Sequence, residues 1–298
     1  MTSKNQRLGR VLEFTIANLV TGKQIKRSLL RGTIKATKTD TVDGNKAKIR
    51  IYNLSQSSRE LIQTENDKSG RPQTAIEVRA GYKGQELGLI WRGKGEVVST
   101  YKAPDWVTEI LCTDGVQELK SKPINFSYPA GTSIENIVKD LFKITNIKDV
   151  ITVGSGKVLP KDRSFSSDAS KFVKDLEESF GVKIDIQDEQ GIITNENNTG
   201  PNSSSRFLLS RYTGLLNSPR KKGDIVIAEA LIDHNLKPSN FVELESIVSP
   251  GLNGVYKIRK VDLNGDNWGG PWFVVMEMQL TGFLPSYQSL TGIEGVLA

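Results

Sequence analysis

Strict alternation of apolar and polar positions marks the first third of the chain. Val11-Leu12-Glu13-Phe14-Thr15-Ile16, Thr33-Ile34-Lys35-Ala36-Thr37 and Lys48-Ile49-Arg50-Ile51-Tyr52 change character at nearly every residue. That is the period of a strand with one buried face. Residues 75–82, 89–98 and 106–111 continue the pattern, with turns at Thr41-Val42-Asp43-Gly44-Asn45 and at Pro104-Asp105. A short helix is predicted over 57–63, where Ser57 and Glu60 stand at capping-box spacing. These elements predict a small β-barrel or sandwich over residues 1–115.

The period then lengthens. Ile134, Ile137, Val138, Leu141 and Phe142 form one helical stripe, introduced by Thr132 and Glu135 at capping-box spacing. Phe172, Val173, Leu176 and Phe180 form a second, capped by Ser167-Asp168 and stopped by Gly181. Residues 182–194 read as a hairpin turning at Gln190-Gly191. A small α/β module over 116–200 follows from these signals, ending in a polar Gly/Pro/Ser/Asn linker. Strand signals resume at 206–210, 241–246, 251–262 and 271–277, while 225–232 fits strand or helix. Residues 201–284 are expected to form a second β-barrel and 285–298 a flexible tail. Gly95-Glu96-Val97-Val98 with Trp106-Val107 is faintly echoed by Gly254-Val255-Tyr256-Lys257-Ile258 with Trp272-Phe273. The fold class is therefore α+β, β-rich, with two tube-like β-barrel domains flanking a small α/β module.

Composition narrows the function. The 298 residues are 37% hydrophobic and 25% charged, as in globular proteins. No run of 18 apolar residues occurs, so no membrane-spanning helix is expected. The first residues lack the apolar core of a signal peptide, so synthesis in a host cytoplasm is expected. Net charge is +6, yet residues 1–50 hold twelve Lys/Arg against three Asp/Glu. Lys23, Lys26, Arg27 and Arg31 in this segment are candidate interface residues, as a solvated face or as a docking surface for acidic protein or nucleic acid. Trp268, in the Gly/Pro-rich stretch before Trp272, is a candidate interface anchor.

Catalytic chemistry finds little purchase. Cys112 is the single cysteine and sits in an apolar run, so no internal disulfide forms and a small core residue is expected. His234 is the single histidine, with no nucleophile motif near it, and is read as a loop or capping residue. One Cys and one His do not make a zinc site. Asp262-Leu263-Asn264-Gly265-Asp266-Asn267 mimics a calcium loop, but its sixth position is Asn267 and its twelfth is Phe273, so a hairpin turn is expected. Glu177-Glu178 and Glu243/Glu245 are read as solvated carboxylates. No catalytic residue, metal or cofactor is assigned.

Ile49-Arg50-Ile51-Tyr52-Asn53-Leu54-Ser55, then a short helix, then Val78-Arg79-Ala80-Gly81-Tyr82 and Trp91-Arg92-Gly93, resembles the opening domain of bacteriophage tail baseplate hub proteins. The middle module resembles that family's helical insert, and 251–277 its second barrel. The resemblance implies a non-enzymatic virion protein of the tail baseplate. It implies a homotrimer that presents six tube-like barrels, adapting a sixfold tail tube to a threefold central spike. Its implied partners are the tail tube or tube-initiator protein and the spike, with DNA passing through the enclosed channel without specific binding. Two other readings stand beside it. A basic β-barrel that binds nucleic acid would need aromatics interleaved with the basic segment, where only Phe14 and Tyr52 lie near. A tail-tip cell-wall hydrolase would need one of the carboxylate pairs.

Overall fold

The computed structural model describes residues 9–41, 44–63, 66, 68, 70–114, 123–145, 147, 149–152, 156–195 and 206–282. The boundary near residue 115, the linker over 196–205 and the tail over 285–298 lie outside the described residues.

The first segment comprises β1 (Arg10–Asn18), β2 (Gln24–Arg27), β3 (Gly32–Thr39), β4 (Lys46–Tyr52), α1 (Gln56–Ile62), β5 (Thr74–Tyr82), β6 (Gly88–Lys102) and β7 (Asp105–Thr113). The middle segment comprises β8 (Pro123–Tyr128), α2 (Ile134–Ile144), β9 (Asp149–Thr152), β10 (Arg163–Asp168), α3 (Ala169–Phe180), β11 (Val182–Gln187) and β12 (Gln190–Asn195). The last comprises β13 (Phe207–Ser210), β14 (Arg220–Lys222), β15 (Ile225–Leu231), β16 (Phe241–Glu245), β17 (Gly254–Asp266) and β18 (Trp272–Leu280).

Alternation of sequence becomes alternation of burial. Every second residue of β5 is buried, and β15, the stretch ambiguous in sequence, does the same as a strand. Helix ends sit where their chemistry allows. Ser55, not Ser57, caps α1, its Oγ accepting the Ser58 N–H at 3.3 Å. Ser133, not Thr132, is the N-cap of α2, because Thr132 Oγ1 donates instead to Pro129 O at 2.8 Å. Gly181 ends α3 in the left-handed region at φ +56, as its position predicts.

One sheet joins the first and last segments. Its strand order is β14-β15-β18-β17-β3-β4-β7-β6-β5-β1-β2, with β16 on β17 and β13 parallel to β16. The link is β17. Its first residues pair with β16, from Gly254 opposite Leu244 to Lys257 opposite Phe241. Its later ones pair with β3, from Lys260 opposite Thr39 to Asp266 opposite Thr33. The register against β18 shifts between Ile258 and Lys260, a bulge that bends the strand where it changes partner. No closed barrel is present among the described residues; an isolated bridge, Leu215–Ala230, brings the chain after β13 back to β15.

The core follows the sheet. Phe14, Ile34, Ile49, Ile51, Trp91 and Ile110 of the first segment belong to the same buried cluster as Val226, Ile258, Val261, Val274 and Met276 of the last. Gly32 is required there, since a Cβ would lie 2.3 Å from the Phe14 ring. His234 packs its ring against Gly88, where a Cβ would lie 2.1 Å from it. The middle segment has its own cluster, in which Phe165 and Phe172 meet edge to face at 4.7 Å. Its strands form separate small sheets, β10-β8 and β11-β12-β9.

Separate cores predict separable damage. Phe172→Ala should cost about 3–5 kcal/mol and fall on the middle segment. Hydrogen exchange should rise in α2, α3 and β11 while β1, β5 and β17 keep their protection; loss across all of them together would show a single cooperative core.

Candidate docking rim and buried junction

Strands β3, β4, β7 and β17 run between two chemically different ends. At one end lie the starts of β3, β7 and β18 and the ends of β4, β6 and β17. Asn267, in the β17–β18 turn, donates from Nδ2 to Leu30 O at 3.0 Å and accepts the Gly32 N–H at 2.9 Å. Asp266 accepts the Trp268 N–H at 2.7 Å and Arg31 Nη2 at 3.2 Å. Arg31 also stacks on Tyr52, 4.6 Å from the ring centre. Next to Tyr52, Asn53 adopts the left-handed region at φ +58, which asparagine tolerates best after glycine. There its Oδ1 accepts the Trp106 N–H at 3.0 Å and its Nδ2 donates to Asp105 at 2.8 Å. Trp106 packs against Tyr101 across the β6–β7 turn and carries Arg59 over its ring at 4.1 Å.

These contacts make one continuous rim. Its outward side chains are Leu29, 93% exposed, Trp268 at 71%, Tyr101 at 57% and Trp106 at 38%. Exposed aromatics interleaved with arginine are the composition of protein–protein hot spots.

Of the residues singled out in the sequence, Arg31 and Trp268 are brought together, through Asp266. Arg27 reaches Ser58 of α1 at 3.0 Å, beside Arg59. Lys26 pairs with Glu13 at 2.9 Å on the edge strand β2, and Lys23 is exposed just before that strand. Leu29, Tyr101, Trp106 and Arg59 were not singled out. The available signal was Tyr101 and Trp106 flanking Pro104-Asp105 at the spacing of a cross-strand pair.

The outward face between the ends is a field of cross-strand ion pairs. Glu109 binds Lys48 at 2.7 Å and Arg50 at 2.8 Å. Burial pushes its carboxyl up, but the hydrogen bonds from Lys48 and Arg50 outweigh that and hold it below the usual range. Lys260 bridges Asp262 and Glu277. A groove of about 590 Å³ crosses this region, lined among others by Lys35, Lys46, Lys48, Leu111 and Asp262.

At the opposite end the β11–β12 turn is buried in the sheet. Lys38 and Asp188 pair at 2.5 Å, both side chains under 5% exposed. Asn45 donates to Asp114 at 2.7 Å, to Ile186 O at 3.1 Å and to Gln187 Oε1 at 3.2 Å. Gln187 donates to Thr39 O at 2.6 Å, and Ser239 Oγ to Asp185 at 2.5 Å. Burial pushes the Asp114 carboxyl up to about 6 and the Asp185 carboxyl up to about 7.

Nothing in these arrangements resembles a catalytic device. Cys112 is buried and its thiol is pushed up to about 12 by that burial, so it is not a nucleophile near neutral pH. Among the described residues no group of three or more His, Cys, Asp or Glu is placed to hold a metal ion. Glu177 of the suspected carboxylate pair accepts the Ile184 N–H at 2.9 Å and pairs with Lys183.

A family model described as baseplate hub gp41 matches residues 11–278. No curated protein matches. Among solved structures, a tail protein from Neisseria meningitidis MC58 is similar at a TM-score of 0.62 and 10% identity, covering 93% of this chain and 98% of that one. The 43 kDa tail protein of prophage MuSo2 from Shewanella oneidensis is similar at 0.60 and 10% identity, covering 91% and 98%. The c3393 protein of E. coli, described as a type VI secretion component similar to the T4 tail proteins gp27 and gp5, reaches 0.53 at 10% identity, covering 86% and 76%. At such identity the likeness is one of fold.

Rim geometry separates presentation from support. Trp268→Ala should shift stability by no more than about 0.5 kcal/mol, because the side chain is exposed. Asp266→Ala should cost about 1–3 kcal/mol, because it strips the acceptor from the Trp268 N–H and from Arg31. Denaturant titration of both variants checks this; equal costs would mean that Asp266 does not build the turn.

Proposed function

The chain belongs to the baseplate hub gp41 family, and from that membership we propose a homotrimeric hub that adapts a sixfold tail tube to a threefold spike. It is a structural component of a tail baseplate. In the proposed assembly each copy contributes two tube-like units, one from residues 1–115 and one from 201–284, with the α/β module of 116–200 between them. Three copies would place six such units in a ring, which meets a sixfold tube without breaking threefold symmetry below.

The observation that carries this reading is the sheet itself. Two β-rich segments separated by the whole middle segment lie side by side through β17 and β3. A single subunit therefore holds both units in fixed relation. The rim of Leu29, Tyr101, Trp106 and Trp268 is the proposed contact for the tube or tube-initiator protein. Strand β18 ends at Leu280, at the end opposite the rim, and that end is proposed to face the spike. The outward face supports a channel wall. Lys48, Arg50 and Lys260 are matched by Glu109, Asp262 and Glu277 within the face, while Lys35 and Lys46 stand exposed. Internal pairing lowers the number of cations that could hold phosphate, which supports the proposed passage of DNA without tight binding. The same pairing speaks against a nucleic-acid-binding protein, and the role proposed is structural rather than catalytic.

Native mass spectrometry tests the assembly, with tube and spike proteins of the same tail added in turn. A species near three times 32.9 kDa, alone or with either partner, is expected. A chain that stays monomeric with both partners present would overturn the hub reading. Within a positive assembly, Trp106→Ala combined with Trp268→Ala should weaken tube binding by about tenfold or more and leave spike binding unchanged. Unchanged tube binding would move the contact elsewhere.

A further inference from the structure

We propose that the tip of the β11–β12 hairpin is a proton-operated latch, closed on the sheet while the carboxyls beneath it carry protons and loosened when they ionise. This goes beyond the hub reading and does not depend on it.

The tip is strained by itself. Asp188 and Glu189, its two turn residues, both sit in the left-handed region, at φ +56 and +64. A two-residue turn of this kind favours Asn-Gly, because side chains with a Cβ resist that conformation. Gln190-Gly191, the turn suggested by sequence, lies instead within β12. Such strain persists only where the surroundings over-determine it. Here they do. Asp188 Oδ1 takes Lys38 Nζ at 2.5 Å and the Arg92 N–H at 3.1 Å, while its own N–H reaches Asp114 Oδ2 at 3.2 Å. Gln187 and Ile186 are tied to Thr39 and Asn45. The tip therefore holds its shape by being docked, and undocking releases strain.

The carboxyls of the junction are unevenly matched by cations. Asp188 has Lys38. Asp114 accepts the Asn45 N–H at 3.0 Å and Asn45 Nδ2 at 2.7 Å, and faces Lys38 and the like charge of Asp188. Among the described residues Asp185 takes only the Ser239 hydroxyl, on Oδ2, and its buried Oδ1 has no hydrogen-bond donor. Around it stand Lys183 on its own strand, Lys257 on β17 and the like charge of Asp40 after β3. Arg259 Nη1 lies 2.9 Å from Asp40 Oδ2, without the alignment of a hydrogen bond. Glu189 and Glu77 face Arg92 at the other flank. Lys257 is itself held below the usual amine range by burial. Ionised together, Asp40 and Asp185 would repel one another, with Lys183 already paired to Glu177 and Lys257 disfavoured as a cation by its burial.

The direction follows from proton linkage. A carboxyl whose proton is held more tightly docked than free makes docking strongest at low pH. That advantage is lost as pH rises through the docked values, about 6 for Asp114 and about 7 for Asp185. The latch is closed in mild acid and loosened in mild base.

Hydrogen exchange of the full chain tests this. Amide rates in residues 182–187, each divided by the intrinsic chemical rate, are compared at about pH 5.5 and about pH 8.5. Protection should fall by roughly tenfold or more at the higher pH, with β1 and β5 unchanged. Asp185→Asn, which keeps the shape without the charge, should raise protection at the higher pH and flatten the difference. Equal protection of the wild type at both pH values overturns the proposal. So does an Asp114→Asn, Asp185→Asn double variant that keeps the full wild-type drop, since the drop would then come from a group outside the latch.

Discussion

The pairing of β17 with β3 is the constraint on which the rest of the molecule depends. It joins Asp266 to Thr33 and Lys260 to Thr39, residues at opposite ends of the chain. Closing so long a loop costs chain entropy before any contact offsets it, though the cost grows slowly with length. What offsets it is the shared core, in which Ile34 and Ile49 belong with Val261 and Val274. The bulge at Arg259 makes the pairing possible. It lets one strand serve β16 with its first half and β3 with its second, and it brings Arg259 to Asp40.

Charge in this chain is architecture before it is recognition. The basic excess of the first fifty residues left open a solvated face or a docking surface. In the fold Lys26, Arg31, Lys38, Lys48 and Arg50 each meet a carboxylate, three of them supplied by residues beyond position one hundred. Net charge per segment is a poor guide where strands from distant segments alternate in one sheet, since the opposite charge arrives from elsewhere. Exposed pairs of this kind stabilise little one by one. Across strands they bias pairing and register, because like charges opposite one another are unfavourable.

What was legible in the sequence was whatever is local. Alternation located β1, β3, β4 and β5, apolar stripes located α2 and α3, and Gly181 marked a helix end. Turn chemistry misled where tertiary contacts override it: Gln190-Gly191 has the better composition, yet the turn falls on Asp188-Glu189 because Asp188 is needed against Lys38. Caps shifted by one or two residues, since Ser55 and Ser133 compete with near neighbours of similar chemistry. Trp268 and Arg31 were visible as unusual residues but not as a pair, because only Asp266 and Asn267 bring their loops together. The junction was invisible, for none of its polar residues is unusual until burial makes it so.

Register ties the rim, the face and the junction into one device. In β3, β4, β7 and β17 every cross-strand partner is fixed by the pleat, so sliding one strand by a single residue would send its core side chains to solvent. A slide by two would preserve that alternation and still fail. It would part Asn45 from Asp114 at one end and Asn53 from Trp106 at the other. The polar groups at the strand ends therefore act against the error that hydrophobic alternation tolerates. That is a physical reason for a polar junction where an apolar one would bury more area: apolar contacts are indifferent to a two-residue slip, and hydrogen bonds between named atoms are not.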